Sequence, residues 1–371
     1  MGNTATTVDF GVLVDGAEIP DGDVVGFVCD LDLDQPGMCV VTLRNMSHDF
    51  NDKYKLGASL ELKIGGQTRY NAEGSGSGGK ATVFKGEVVG MEPSYRQGSE
   101  TRFSLRAYDK LHRLLRGRKS KTYQDQSDQD IASAIASEAG LSAQCGSSPK
   151  ITHKHVYQHN QTHLEFLRVR AKRLGFNIWC EDTKMFFDAP KLDADSGLEF
   201  LLGTQGESNK LKLKAFSGRM SNAHVVKKVT VRGWDPEKKE EIVGEENAKN
   251  SPLGSKNAAS TLSDFGEIAT FYVDHPIFSV EEAKAIAKSR LDEASMGFLT
   301  AEAEAHGDNR VKPGIVVKIV VNEKTATDRF NGKYLVMGCT HRLMPAAGGG
   351  GGGGAGYTTI MRLARDAEKG S

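Results

Sequence analysis

Hydrophobic and polar residues alternate with a period of two over most of residues 8 to 110. The alternation is clearest in Ser59–Ile64, Ala81–Glu92 and Thr101–Asp109, and an earlier run turns at Asp15–Gly16. A period of two places every second side chain on the same face of a strand. This part of the chain is therefore predicted to be an antiparallel sheet with one solvent-facing side, or a small barrel.

The middle of the chain carries helical signals instead. In "SDQDIASAIASEAG", Ser127 is a candidate N-cap and Gly140 a stop signal. "THLEFLRVRAKRLG" opens with a capping box from Thr162 to Glu165, and a hairpin pattern follows in "FNIWCED" and "KMFFDA". Residues 119–205 are therefore predicted to form an α/β insert domain.

The last third returns to alternation. The stretch His224–Pro236 reads as a long strand, and the polar, Gly- and Ser-rich residues 237–270 are predicted to form a long surface loop. A capping box from Ser279 to Glu282 begins a helix predicted over 279–297. Three further strand patterns, "GIVVKIVV", "GKYLVMGCTHRL" and "YTTIMRLAR", complete the chain.

Two parts of the chain resemble each other. Each has an alternating strand, then Phe-x-Gly opening a second strand, then a third strand that ends in an acid. The matching positions are Leu60–Ile64 with Val316–Val320, Phe84–Gly86 with Phe330–Gly332, and Asp109 with Asp366. Alternation is generic, so any two β-meanders could look alike. The constant order nevertheless favours two similar β-units separated by the insert.

A Gly-rich stretch, "NAEGSGSGGKATVF", has the outline of a phosphate-binding loop, with Gly74, Gly79 and Lys80 in place. Such a loop needs Ser or Thr after the Lys and a helix behind it. Here Ala81 follows, and the next residues favour a strand. A loop between two strands is the favoured interpretation.

Composition narrows the class of protein. The 371 residues contain 48 Lys plus Arg and 48 Asp plus Glu, so the whole chain offers no net attraction to nucleic acid or an anionic membrane. No CxxC pair occurs, and reduced thiols in a cytoplasmic protein are expected. The cysteines are Cys29, Cys39, Cys145, Cys180 and Cys339. We see no signal peptide, no apolar run long enough to span a membrane, and no pattern for sequence-specific nucleic-acid binding.

Four histidines lie close together in "THKHVYQHNQTH". They are His153, His155, His159 and His163. Their spacing suits a metal on a strand or a helix, but the cluster crosses a strand, a loop and a helix cap. Solvated or interface histidines are the favoured interpretation.

The stretch "CDLDLDQPGMCV" places Asp30, Asp32 and Asp34 like the start of a calcium loop. Gln35 and Val41 stand where such a loop needs Gly and Glu, so a strand with one acidic face, lining a lumen or meeting a basic neighbour, fits better.

A basic run lies in "KLHRLLRGRKSK", residues 110–121. It indicates a solvated connector, or one paired with acids of a neighbouring subunit, more than a phosphate site. No catalytic motif is present, and the adjacent Glu181 and Asp182 point apart on a strand. We therefore assign no catalytic, cofactor-binding or metal-binding residues.

Four segments in order carry a resemblance to a known family. They are "AYDKLHRLLRGRKSKTYQDQSDQDIASAIASEAGL", "QTHLEFLRVRAKRLGFNIWCED", "VRGWDPEKKE" and "FNGKYLVMGCTHRL…GYTTIMRLAR". Together they resemble the phage late control gene D family, which includes contractile tail hubs, hubs of phage-tail-like injection particles and the N-terminal half of valine-glycine repeat spike proteins.

The resemblance implies a β-rich α+β fold with two tube-like antiparallel β-barrels and an α/β insert between them. The expected domains are a first barrel at 1–118, the insert at 119–205, and a second barrel at 206–371 that contains the loop 237–270 and the helix 279–297. The run Gly348–Gly354 is unusual for the family.

The function implied is that of a non-enzymatic baseplate hub, without cofactors, in a phage tail or a related injection system. It would be a homotrimer that adapts the symmetry of a hexameric tail tube above to a separate trimeric spike below, beside baseplate wedge proteins. Such a hub is made and assembled in the cytoplasm without a signal peptide and becomes part of a virion or secretion particle. The alternatives are a cell-wall-degrading tail enzyme, a secreted effector, or a tube subunit, which needs only one barrel.

Overall fold

The structure is a computed structural model of a β-rich chain with few helices. It describes residues 8–65, 80–95, 101–203, 210–265, 269–272, 276–325, 328–344 and 356–368. The N-terminal strands are β1 (Phe10–Val14), β2 (Ala17–Ile19), β3 (Val24–Asp32), β4 (Met38–Arg44), β5 (Ser59–Ile64), β6 (Ala81–Ser94) and β7 (Arg102–Tyr108).

The strands of the middle are β8 (Lys119–Ser127), β9 (Ser142–Cys145), β10 (Thr152–Gln161), β11 (Asn177–Glu181) and β12 (Lys184–Asp188). The C-terminal strands are β13 (Asp195–Leu202), β14 (Leu211–Met220), β15 (Lys228–Asp235), β16 (Glu240–Asn247), β17 (Lys256–Asn257), β18 (Ala269–Tyr272), β19 (Leu299–His306), β20 (Val316–Val320), β21 (Gly332–Met344), β22 (Gly356–Arg365) and β23 (Ala367–Glu368). The α-helices are α1 (Phe50–Lys53), α2 (Asp128–Glu138), α3 (His163–Leu174) and α4 (Val280–Met296), and 3-10 helices lie at Asp21–Asp23, Lys110–Leu115 and Ala258–Phe265.

One sheet of 13 strands organises the molecule, in the order β2-β1-β5-β6-β7-β4-β3-β21-β20-β13-β14-β19-β22. Strands β21 and β22 also pair, so the last six strands close into a ring. We call this ring the C-terminal barrel. The strands β1 to β7 are the N-terminal unit, which stays open because no pairing joins β1 to β3 in the described part of the chain.

The two units have the same strand order. In chain order, the six main strands of the N-terminal unit are β1, β3, β4, β5, β6 and β7, and those of the barrel are β13, β14, β19, β20, β21 and β22. In space the first set runs β1-β5-β6-β7-β4-β3 and the second β13-β20-β21-β22-β19-β14, which is the same permutation. One direction differs, because β1 is antiparallel to β5 whereas β13 is parallel to β20.

The likeness extends to single hydrogen bonds. The β6–β7 ladder is offset between Val88 and Gly90, and the β21–β22 ladder between Val336 and Gly338. Beside each offset, a glycine N–H donates to the valine carbonyl at 2.8 Å, from Gly57 in the first unit and from its counterpart at position 314 in the second. An extra residue at the same place in both ladders bends both strands alike.

The insert is made of β8 to β12 with α2 and α3. Both helices begin with reciprocal capping boxes, Ser127 with Asp130 and Thr162 with Glu165. Each box satisfies two backbone N–H groups that a helix start otherwise leaves without partners. Strands β11 and β12 form the hairpin that the sequence predicts.

Strand β13 lies in the range predicted for the insert, yet it belongs to the C-terminal barrel. It is parallel to both of its neighbours, and Leu198, Phe200 and Leu201 are all buried. Because parallel strands are covered on both faces, their sequences lack the alternation that marks an exposed sheet.

The prediction of a loop over 237–270 is wrong. Strands β16, β17 and β18 and a 3-10 helix lie there, and β16 pairs with β15 along its whole length. We call β15, β16, β18 and α4 the side module, which lies between β14 and β19 in the chain. Half of the residues of β16 are charged, and Ile242 is its one apolar residue buried in the core under α4, so the hydrophobic pattern is too weak to indicate a strand.

The cores of the two units are not separate. Leu343 and Tyr357, from the C-terminal barrel, pack in the core of the N-terminal unit. Leu31, from the N-terminal unit, packs against the barrel core. Among the described helices, none combines the length and the apolar composition that crossing a bilayer requires.

Candidate functional site

The two units meet at one antiparallel seam, where Phe27–Asp32 of β3 pairs with Gly338–Leu343 of β21. Polar side chains tie it together. The hydroxyl of Thr340 donates to Asp30 Oδ1 at 2.9 Å, and Arg362 of β22 donates to the carboxylate of Asp32 at 2.7 Å. The seam therefore combines a backbone ladder with ionic contacts.

A buried imidazole lies in the seam. His341 Nε2 is 3.0 Å from the carbonyl of Val311, which can only accept, so Nε2 carries the proton. Nδ1 then accepts from the Tyr357 hydroxyl at 2.7 Å. Burial lowers the pKa of His341 to about 4, so the ring is neutral at pH 7 and fully hydrogen-bonded.

Strand β21 changes partner at its bulge. Before Gly338 it pairs with β20, and after Gly338 it pairs with β3. Strand β6 pairs with β5 up to Glu87, but no strand of the described chain pairs with the same edge over Gly90–Ser94. The N-terminal unit thus leaves open the edge that the barrel uses for the seam.

Strand β14 has a second open edge. It pairs with β13 only through Leu211–Leu213, so the rest of that edge, 214–220, has no strand beside it in the described ranges. Arg219 on this edge is exposed and has no ionic partner among the residues that the structure describes. In the common strand order, β14 occupies the place of β3, whose edge carries the seam.

A groove of about 1300 Å³ borders this region. Ser217, Gly218 and Arg219 of β14 line it, together with α4 and the start of β11. The groove gives a large group room beside the barrel strands. Its charged lining is mixed, with Lys172 and Lys288 facing the same space as acidic residues.

The four histidines do not converge. His153 and His163 are buried, whereas His155 and His159 are exposed. Within the described ranges, no group of three or more His, Cys, Asp or Glu residues is arranged to hold a metal ion. His153 instead lies between two buried carboxylates, 3.1 Å from Asp128.

The three aspartates are spread along the first unit's edge. Asp30 and Asp32 take part in the seam, so the basic neighbour of this acidic face is Arg362 of the same chain. Asp34 instead accepts from Asn177 and from the backbone of Ile178 in the insert. Their oxygens serve as hydrogen-bond acceptors between parts of the fold.

The basic run pairs within the chain. Arg113 bonds both to Glu87 and to the carbonyl of Ala139, and the hydrogen bond from Arg113 lowers the pKa of Glu87. Arg118 pairs with Glu165. Acids of the same chain therefore replace the neighbouring subunit that the sequence suggested, and the run fixes the insert to the N-terminal unit.

Residues 66–79, which hold most of the Gly-rich stretch, and the run Gly348–Gly354 lie outside the described residues. Strands β5 and β6, which flank the first of these, pair antiparallel, and no helix follows. The P-loop interpretation therefore lacks the strand-to-helix context it needs.

Sequence reasoning missed the open edges themselves. No motif marks Arg219 or Glu92, because an unpaired edge is a property of the sheet order. The signal in the sequence that could have indicated these edges was the internal repeat. The repeat was recognised for three strands of each unit, but it was not extended to β14.

A family model described as the Alg8 N-terminal domain matches residues 4–345. The chain belongs to this family. It differs from the phage late control gene D family that the sequence resembles, so membership of that second family stays a proposal. Among curated proteins, none matches the chain.

Solved structures show a shared fold with tail and secretion proteins. A 43 kDa prophage tail protein from Shewanella oneidensis has a TM-score of 0.67 at 15% identity, covering 98% of this chain and 100% of that one. A tail protein from Neisseria meningitidis has a TM-score of 0.68 at 14% identity, covering 97% of each chain. A type VI secretion component from Escherichia coli has a TM-score of 0.56 at 12% identity, covering 95% of this chain and 76% of that one.

Proposed function

We propose that this member of the Alg8 N-terminal domain family is a non-enzymatic baseplate hub of a contractile tail or a related injection apparatus, like hubs of the late control gene D family. It acts as a homotrimer that joins a hexameric tube to a trimeric spike. The ring formed by the two equivalent units of each chain contacts the tube. The other partners of the trimer are a separate spike protein and wedge proteins.

One observation carries this proposal: a single chain contains two six-stranded units with the same strand order, joined edge to edge. Three such chains supply six equivalent units, which matches sixfold symmetry while the assembly stays threefold. A heterologous ring of this kind closes only if each unit accepts the next at a compatible angle.

We infer that both units act as tube-like barrels, although only the second is closed in the single chain. The first unit spans 1–118, with the edge of β3 paired to β21 of the same chain, and the insert spans 119–194. The second barrel begins at Asp195, since β13 is one of its strands. The side module then lies on the outside of every second unit of the ring, which is the C-terminal barrel of each chain.

Likeness to phage tail and type VI secretion proteins supports the fold expected of such a hub, and the proposal needs its own test. Light scattering on the purified chain should give three times 40.2 kDa. Negative-stain images of the same sample should show a ring of six lobes, three of them enlarged by the side module. A monomer at all concentrations, or a monomer that hydrolyses peptidoglycan, contradicts the proposal.

A further inference from the structure

The repeat between the two units includes the strands at the seam. Strand β3 pairs with β4 with an offset between Val24 and Gly26, and β14 pairs with β19 with an offset between Leu213 and Ala215. Matching Gly26 with Ala215 also places Phe27 and Phe216 at the same position. Strand β14 is therefore the counterpart of β3 residue by residue.

The partner of β3 has a counterpart as well. The bulges at Gly338 and Gly90 match β21 with β6, including the glycine-to-valine hydrogen bonds beside them. Each chain thus contains one complete seam, β3 with β21, and the two halves of a second one, β14 and β6. Those halves are the two open edges described above.

We propose that β14 of one copy pairs antiparallel with β6 of the next copy, in the register of the β3–β21 seam. The inference rests on the proposed function, since it names the strands that close the trimeric ring. The occupant of each open edge is a second copy of this chain, because the seam within the chain already shows how the two edges fit.

The register predicts which residues meet. Matching Asp32 opposite Gly338 places Ser221 opposite Gly90, and from there Met220 lies opposite Met91 and Arg219 opposite Glu92. Both methionines are only partly buried in the single chain, each packed at the margin of its own core. Pairing of the strands would cover them further. At the matching position of the seam, Cys339 is buried and Leu31 packs against the barrel core.

The charges are complementary. In the seam within the chain, Thr340 donates to Asp30. The matching pair between copies is Glu92 with Arg219, a cation with no ionic partner in the described chain. Glu92 already pairs with Arg106 on the exposed sheet face, so Arg219 would join a carboxylate that is held in place. Opposite charges at facing positions favour this register over slipped ones.

One hydrogen bond is missing in this register. Gly218 lies opposite Pro93, which has no N–H to donate. In the seam, the backbone N–H of Leu33 donates to the carbonyl of Met337. Because hydrogen-bonded pairs alternate along an antiparallel ladder, the backbone N–H of His341, which is the counterpart of Pro93, also points toward the partner strand. The ladder between copies therefore has one bond fewer than the ladder within the chain, and Pro93 limits pairing with unrelated strands.

A cysteine cross-link tests the register. Positions 219 and 92 face each other as a non-hydrogen-bonded pair, whose side chains lie close enough for a disulfide. The double variant Arg219→Cys with Glu92→Cys, oxidised mildly and run without reductant, should give covalent dimers and trimers. Each single variant should stay monomeric on the same gel, and circular dichroism should show that all variants are folded.

The control variant Arg219→Cys with Ser94→Cys places the thiols diagonally and should cross-link several-fold less. A second readout is charge reversal: Arg219→Glu should raise the dissociation constant of the trimer about tenfold or more, because like charges then face each other. Adding Glu92→Arg should restore most of the loss.

The outcomes separate the two proposals. A trimer by light scattering in which the 219/92 pair does not cross-link, or cross-links no better than the 219/94 pair, overturns the register while the hub proposal stands. A wild-type chain that remains monomeric overturns both. Rescue by the double charge reversal together with the 219/92 cross-link supports the interface.

Discussion

Asp109 is the residue at which burial and charge conflict most directly. It directly follows β7, the residue is 7% exposed, and its two carboxylate oxygens accept from the backbone N–H groups of Gly37 and Leu111. The structure gives it no cationic partner in the described chain. Burial raises the pKa of Asp109 to about 7, so part of the protein carries it protonated at neutral pH.

We predict that Asp109 makes the protein less stable as pH rises from about 4 to about 7. The folded state binds the proton more tightly than the unfolded state, so the stabilisation is complete below the unfolded pKa and is lost as pH passes the folded pKa. A tenfold difference in proton affinity between the two states corresponds to about 1.4 kcal/mol, so the loss of stability amounts to a few kcal/mol. Urea unfolding at several pH values measures it.

In Asp109→Asn this part of the pH dependence should disappear, and stability at pH 4 should fall because the amide offers one acceptor oxygen to two N–H groups. Asp52→Asn, at an exposed carboxylate, is the control and should follow the wild-type curve. An Asp109→Asn curve parallel to wild type between pH 4 and 7 would show that Asp109 ionises normally.

At the scale of elements, α4 packs on β16 at a distance that only glycine permits. A Cβ added at Gly244 would lie 2.3 Å from the backbone carbon of Ala283 and 2.4 Å from the nitrogen of Lys284. Neither atom can move without shifting the helix. The close approach lets Ile242 and Ile286 share one small core in the side module.

Gly244→Ala should therefore destabilise the protein by about 1–3 kcal/mol, the usual cost of overpacking. Gly22→Ala is the matched control, because its added Cβ meets nothing within 4 Å, and its effect should stay within about 0.5 kcal/mol. Chemical denaturation followed by tryptophan fluorescence compares the two. Equal midpoints for both variants would mean that α4 can move away at no cost.

The sequence predicted elements well where the local signal is self-sufficient. The N-cap predicted at Ser127 and the capping box predicted at Thr162 depend on residues close in the chain, and the alternation of Ser59–Ile64 reflects one buried face. Prediction from the sequence failed where tertiary contacts, and not the local residue pattern, determine the element. Strand β13 is buried by parallel neighbours, and β16 is held by its partner strand and by α4 across Gly244.

On the scale of the whole molecule, the two units depend on each other. Tyr357 comes from the barrel but packs in the N-terminal core, where its ring lies 6.4 Å from that of Phe27. A sequence can show two similar units, but it cannot show that they share a core, since this depends on which edges meet. The seam and the open edges were beyond sequence reasoning for the same reason.

We predict that a fragment of residues 1–118 does not fold alone. It lacks β21, Leu343 and Tyr357, so it exposes both the edge of β3 and part of its core. Size-exclusion chromatography and circular dichroism should show an aggregated or unfolded fragment, whereas calorimetry of the full chain should show both units melting together. A soluble fragment with a cooperative transition of its own would contradict this shared core.

The covalent link between β3 and β21 has a consequence for how any such ring would respond to dilution. Joining two surfaces in one polypeptide makes their association intramolecular, and therefore independent of how much protein is present. The seam between β3 and β21 can therefore contain the buried imidazole of His341 and still remain paired. Contacts between separate copies lack that advantage, so a diluted assembly should come apart into whole chains, each retaining its internal junction.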